Sequence, residues 1–126
     1  MKRVFLTLIL CLFTNPSYAL DYIYTNGELY ANCKPISKGI NNSVYTGTHG
    51  HKAGICQGYF QAYRDIRPIL QEANEKVFGG ICLPRGTTLG QHIKIYMKYM
   101  DNHPQELHEL KYIGITKALK ETFPCK

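Results

Sequence analysis

Thr88-Leu89-Gly90-Gln91-His92-Ile93-Lys94-Ile95-Tyr96-Met97-Lys98-Tyr99-Met100-Asp101-Asn102-His103-Pro104 is the stretch that decides the fold class. Thr88 with Gln91 three residues on is the pattern of a capping box, in which each side chain serves the other residue's backbone N–H. Leu89, Ile93, Tyr96, Met97 and Met100 recur at helical spacing and define a face for burial, whereas His92, Lys94, Lys98 and Asp101 mostly face away. Asn102-His103 turns the chain, and Pro104 suits the first position of a further helix. In that helix Leu107, Leu110, Gly114, Ile115, Ala118 and Leu119 make an apolar face against Glu106, Glu109, Lys117 and Lys120, until Pro124 stops it. So short a connection makes the two helices antiparallel neighbours.

Upstream the signals are also helical. A helix over about residues 53–67 carries Ile55, Tyr59, Ala62, Tyr63 and Ile66 on one face, and Pro68 kinks or ends it. Ile69 to Glu75 adds a short turn before Gly79-Gly80. Nearer the N-terminus, Asn26-Gly27 reads as the N-cap of a short helix over Glu28–Cys33, with an acid in its first turn. Residues 34–52, punctuated by Pro35, Gly39, Asn41, Asn42, Gly47 and Gly50, read as a long loop. The fold class is therefore all-α, a small disulfide-bonded bundle of four to five helices.

The chain has 126 residues, 44% of them hydrophobic and 19% charged, values of a globular protein with room for one domain. Its N-terminus has a different character. Met1-Lys2-Arg3 is basic, Val4 to Phe13 is apolar, Pro16 breaks the run, and Ser17-Tyr18-Ala19 places small residues where signal peptidase reads. Residues 1–19 are expected to be an export signal cleaved before Leu20, leaving residues 20–126 as the mature domain. The apolar run is too short to span a bilayer, so an integral membrane protein is excluded. The N-terminus therefore implies export.

Processing removes Cys11 from the five cysteines and lowers the formal charge from +6 to +4 by the loss of Lys2 and Arg3. Four cysteines in an exported chain this small read as two disulfides, and Cys33, Cys56, Cys82 and Cys125 contain none of the close Cys-x-x-Cys pairs usual at zinc. Three pairings are possible. Cys82 precedes one helix of the antiparallel hairpin and Cys125 follows the other, while Cys33 ends the first helix and Cys56 opens the second. Cys33–Cys56 and Cys82–Cys125 are thus the expected bridges.

With every mature thiol assigned to a bridge, a cysteine nucleophile is not expected. His49-Gly50-His51, with His92 or His103, offers the alternative of a periplasmic module binding a metal or small ligand. Glu106 and Glu109 sit among lysines, where charge balance explains them. The lysines are dispersed, so nucleic acid is not the expected partner, and neither is a membrane. No cofactor is implied, and the chain is not expected to be an enzyme. Ten tyrosines and no Trp leave Tyr59, Tyr63 and Tyr96 as expected core aromatics.

Several motifs in order carry a resemblance. Ile81-Cys82-Leu83-Pro84-Arg85-Gly86-Thr87-Thr88, Gln91, Tyr99-Met100-Asp101-Asn102-His103-Pro104 and Phe123-Pro124-Cys125, together with Cys56-Gln57-Gly58-Tyr59-Phe60 and Leu29 to Cys33, resemble the Rap/Tai immunity protein family over roughly residues 26–125. Ala62, Thr87 and His92 stand where that family usually has Gly, Val and Leu. The resemblance implies a periplasmic, helical, disulfide-bonded antidote to peptidoglycan amidase effectors delivered by type VI secretion. It also implies a homodimer, and a protruding loop that blocks the effector's cleft sterically. The stretch similar in position to that loop is residues 71–78, with Glu72, Asn74, Glu75 and Lys76 as its polar tip.

Overall fold

The computed structural model describes residues 25–37 and 47–126. Among them five helices follow one another: α1 (Asn26–Ser37), α2 (Gly47–Ala73), α3 (Glu75–Phe78), α4 (Leu89–Asn102) and α5 (Lys111–Thr122). A 3-10 turn, Pro104–Glu106, lies between α4 and α5. The fold is all-α with two disulfides. The export signal expected over residues 1–19 and the middle of the expected long loop, residues 38–46, lie outside the described residues.

α4 forms where the sequence places it. Thr88 Oγ1 accepts from the Gln91 N–H at 3.2 Å, and Gln91 Oε1 accepts from the Thr88 N–H at 2.7 Å, closing the capping box. Ile93, Tyr96, Met97 and Met100 are buried and Leu89 packs at the edge. They meet Leu29 and Cys33 of α1, Cys56, Phe60 and Tyr63 of α2, and Ile115, Ala118 and Leu119 of α5 in one core. Phe60 and Tyr96 pack edge to face with ring centroids 5.5 Å apart. Burying these aliphatic and aromatic side chains contributes about 1.5–3 kcal/mol apiece.

The first helix is longer than expected and is capped one residue earlier. Thr25 Oγ1, not the Asn26 side chain, accepts from the Glu28 N–H at 3.4 Å. α1 continues through Pro35 to Ser37, because a proline near the end of a helix removes only one late ladder bond. Asn26 is fully buried instead. Its N–H donates to Glu109 O at 2.8 Å and its Nδ2 to Glu106 O at 3.0 Å, while Tyr96 Oη donates to Asn26 O at 3.0 Å. The Gly27 N–H donates to Leu107 O at 2.8 Å.

Those bonds explain a second departure. The last helix starts at Lys111 and not at Pro104. The carbonyls of Glu106, Leu107 and Glu109 accept from the start of α1, and Glu106 O also accepts from the Glu109 N–H at 3.0 Å, so this segment holds local 3-10 bonds together with contacts to α1, and Pro104 opens only the 3-10 turn. Gly114 lies against the Asn26 amide, and a Cβ there would fall 2.1 Å from Asn26 Oδ1, so the close approach demands glycine.

Both expected disulfides form, Cys33–Cys56 and Cys82–Cys125, with Cα separations of 5.1 and 4.9 Å. The second closes the end of the α4–α5 pair, beside the antiparallel bridge of Ile81 with Pro124, where the Cys82 N–H donates to Phe123 O at 2.9 Å. At the other end Thr25 bridges Leu110. Each disulfide contributes about 2–4 kcal/mol, mostly by restricting the unfolded chain.

Candidate functional site

The expected polar tip is not a loop but two helix ends around one residue. Gln71 to Ala73 complete α2, Asn74 caps α3, and Glu75–Phe78 form a single turn. Asn74 Oδ1 accepts from the Val77 N–H at 3.2 Å, so that side chain is committed to the cap. The Gly79 N–H donates to Glu75 O at 2.7 Å, and a Cβ on Gly79 would fall 2.4 Å from that same oxygen. Gly80 then takes a positive φ of 76° and turns the chain towards Cys82. Phe78 is buried and its ring lies 5.9 Å from that of Tyr112, and Lys120 Nζ donates to Lys76 O at 3.4 Å. The turn is thereby held on α5. Glu72, Asn74, Glu75 and Lys76 are all exposed, and Glu72 and Glu75 border a shallow depression with Pro68 and Gln71.

α2 runs unbroken from Gly47 through Pro68 to Ala73, so residues 47–52 of the expected loop are its first turns. Its buried face is not the one the periodicity indicates. Ala53, Cys56, Phe60 and Tyr63 are buried, whereas Ile55 and Tyr59 are half-buried and Ala62 is exposed. The Cys33–Cys56 bridge sets the phase, since Cys56 must face α1. The consequence is a second apolar stripe on the outside. Ile66 is 45% and Ile69 67% exposed, and Ala62 and Ala73 extend the row on either side of them. Asp65, four residues before Ile69, and Glu72, three after it, stand beside it on the helix surface. Asp65 takes bonds from Gln61 Nε2 at 3.2 and 3.3 Å, and neither acid makes an ion pair among the described residues. A short turn from Ile69 to Glu75 does not account for the stripe, and the spacing Ala62, Ile66, Ile69, Ala73 across Pro68 is the signal that reveals it.

The histidines are dispersed. His49 and His51 are exposed in the first turns of α2, where a spacing of two points side chains to different sides. His103 stacks on Tyr99 with centroids 4.0 Å apart, and its Nδ1 lies 2.8 Å from Tyr99 O. His92 does not face away from the core, as its place on α4 suggests, but is only 3% exposed. It occupies a core position because the face that packs on α2 is wider than the five-residue stripe. Among the described residues its Nε2 has no hydrogen-bond partner, nor does the buried Nε of Arg67. Burial, with Arg64 and Arg67 nearby, pushes the imidazole below its ordinary value of 6.5. His92 and His103 sit at opposite ends of α4, about 16 Å apart along the axis. Among the described residues no three His, Cys, Asp or Glu side chains gather to hold an ion.

The remaining charged groups tie elements together. Lys111 Nζ lies 2.9 Å from Glu28 Oε2 and 4.4 Å from the Tyr59 ring centroid, joining α5 to α1 and α2. Burial raises the Tyr59 phenol to about 12. Glu106 and Glu109, expected on a solvated face, converge on Lys117 at 3.2 and 2.7 Å. The hydrogen bond that Lys117 donates to Glu109 leads the interactions that hold Lys117 above its ordinary value. None of the described helices is long and apolar enough to cross a membrane.

Comparison with known proteins agrees with the motifs. The model of the Rap1a immunity proteins matches residues 25–125, a span that includes both disulfides and every described helix. Comparison with curated proteins and with solved structures gives no match. The extent of the family match, over most of the chain, places it in the Rap1a immunity protein family.

Proposed function

We propose that this protein is exported to the periplasm, where it binds a peptidoglycan amidase effector delivered by type VI secretion and blocks its substrate cleft. Membership of an immunity family supports a cognate effector as partner. The observation that carries the location of contact is the held turn at residues 71–78. Phe78 is buried beneath it, Asn74 caps it, and Glu72, Glu75 and Lys76 stand exposed on its surface. A rigid polar projection loses little entropy on binding, which suits steric occlusion. The protein acts as an inhibitor and not as a catalyst, and the expected homodimer is compatible with this mode when its contact leaves the turn free.

Charge reversal tests the reading. Glu72→Lys with Glu75→Lys should weaken binding to an amidase that the mature protein inhibits by tenfold or more, with Tm unchanged, because both carboxylates are exposed and free of ion pairs among the described residues. Unchanged affinity would remove this turn from the interface.

A further inference from the structure

We infer that the exposed apolar stripe of α2, centred on Ile66 and Ile69, is the hydrophobic centre of the effector contact, and that the effector meets it with an apolar surface bordered by Lys or Arg. This rests on the proposed inhibitory reading and extends it from the polar turn to the helix that carries the turn.

Three observations lead there. The first is the stripe's exposure, with Ile69 the most open of the large apolar side chains identified as exposed. Ala62, Ile66, Ile69 and Ala73 cover about 16 Å of helix, and an apolar row of that length left exposed by the described residues marks an interaction surface. The second is continuity. Ala73 adjoins Asn74, and Val77 on the turn is itself 37% exposed, so the stripe leads directly into the polar tip. An apolar centre with a polar rim is the usual anatomy of a protein interface. The third is charge. In a chain that keeps a net positive charge after loss of Lys2 and Arg3, Asp65 and Glu72 border Ile69 without neutralising partners among the described residues.

The charge pattern also decides between occupants. If two copies paired through this stripe about an antiparallel two-fold axis, each flank would meet its own symmetry mate, and Asp65 and Glu72 of both copies would share one side. In a parallel pairing the acids would face the Tyr59 side of the stripe, where Lys111 is buried and bonded to Glu28. A different protein with basic groups around an apolar surface satisfies the row directly.

The test uses an amidase effector that the mature wild-type protein inhibits, with affinity and oligomeric state measured for each variant. Ile66→Asp and Ile69→Asp should each weaken binding tenfold or more, and Ile69→Gln, which retains length and adds no charge, should weaken it less. Both side chains are exposed, so Tm should remain that of the wild type. Asp65→Lys should weaken binding and reduce its dependence on salt. Retained tight binding by Ile69→Asp, alongside loss in the Glu72/Glu75 double reversal, overturns the stripe while the inhibitory reading stands. Dissociation of a dimer by Ile69→Asp with inhibition intact assigns the stripe to a second copy and overturns the inference. Failure of the wild type to inhibit any amidase removes the proposed function and the inference together.

Discussion

Asn26 is the residue on which most of the packing converges. It is buried where three segments meet, and its polar atoms are bonded to Glu106, Glu109 and Tyr96. Gly114 makes the room for it, so Gly114→Ala should lower stability by about 2–3 kcal/mol, as overpacking and displacement of a satisfied amide require. Equilibrium urea unfolding measures this directly. His92 presents the opposite case, a polar group buried with no partner for Nε2 among the described residues. Its folded value lies below 6.5, so the unfolded chain binds the proton more readily. The sign follows: the stability is present above about pH 6.5 and is lost as pH falls through that value towards the lower folded one. His92→Leu should therefore raise stability at neutral pH by about 1–3 kcal/mol and flatten the decline between neutral and mildly acidic pH. Unfolding curves at pH 7.5 and 5.5 for both proteins provide the check.

At the level of elements, the two disulfides differ in accessibility. Cys33 and Cys56 are fully buried between α1 and α2, whereas Cys82 and Cys125 are exposed at the end of the α4–α5 pair. Mild reduction of the native protein should thus open Cys82–Cys125 first, and alkylation with peptide mapping should label those two thiols before the other pair. α4 was legible in the sequence because its signals agree: a capping box at the start, one apolar stripe and a turn at the end. The same holds for both cysteine pairings, which follow from the antiparallel order of the helices. α2 was legible as a helix but not in its orientation. It carries two adjoining apolar rows, Cys56-Phe60-Tyr63 and Ala62-Ile66-Ile69-Ala73, and periodicity alone does not say which one faces inward. The disulfide does, through Cys56. The start of α5 differs from the sequence reading for another reason, since the 3-10 turn from Pro104 packs on α1 through carbonyls bonded by residues some eighty positions away.

For the whole molecule, a small core is reinforced by two disulfides and by the Glu28–Lys111 and Lys117 ion-pair links. That frame carries a hydrogen-bonded turn and, next to it, an exposed apolar stripe bordered by Asp65 and Glu72. Family membership was legible in the order of its motifs and agrees with the match over residues 25–125. The polar tip was placed from the same resemblance, but its helical form depends on Asn74 as a cap and on the close approach of Gly79 to Glu75, which only the folded backbone reveals. The most direct measurement is inhibition: residues 20–126, oxidised and purified, titrated into type VI peptidoglycan amidase effectors acting on purified cell-wall peptides. The predicted result is stoichiometric loss of amide-bond cleavage with one such effector, accompanied by a stable complex on gel filtration. Undiminished cleavage by every amidase, at concentrations well above those of the enzymes, would contradict it.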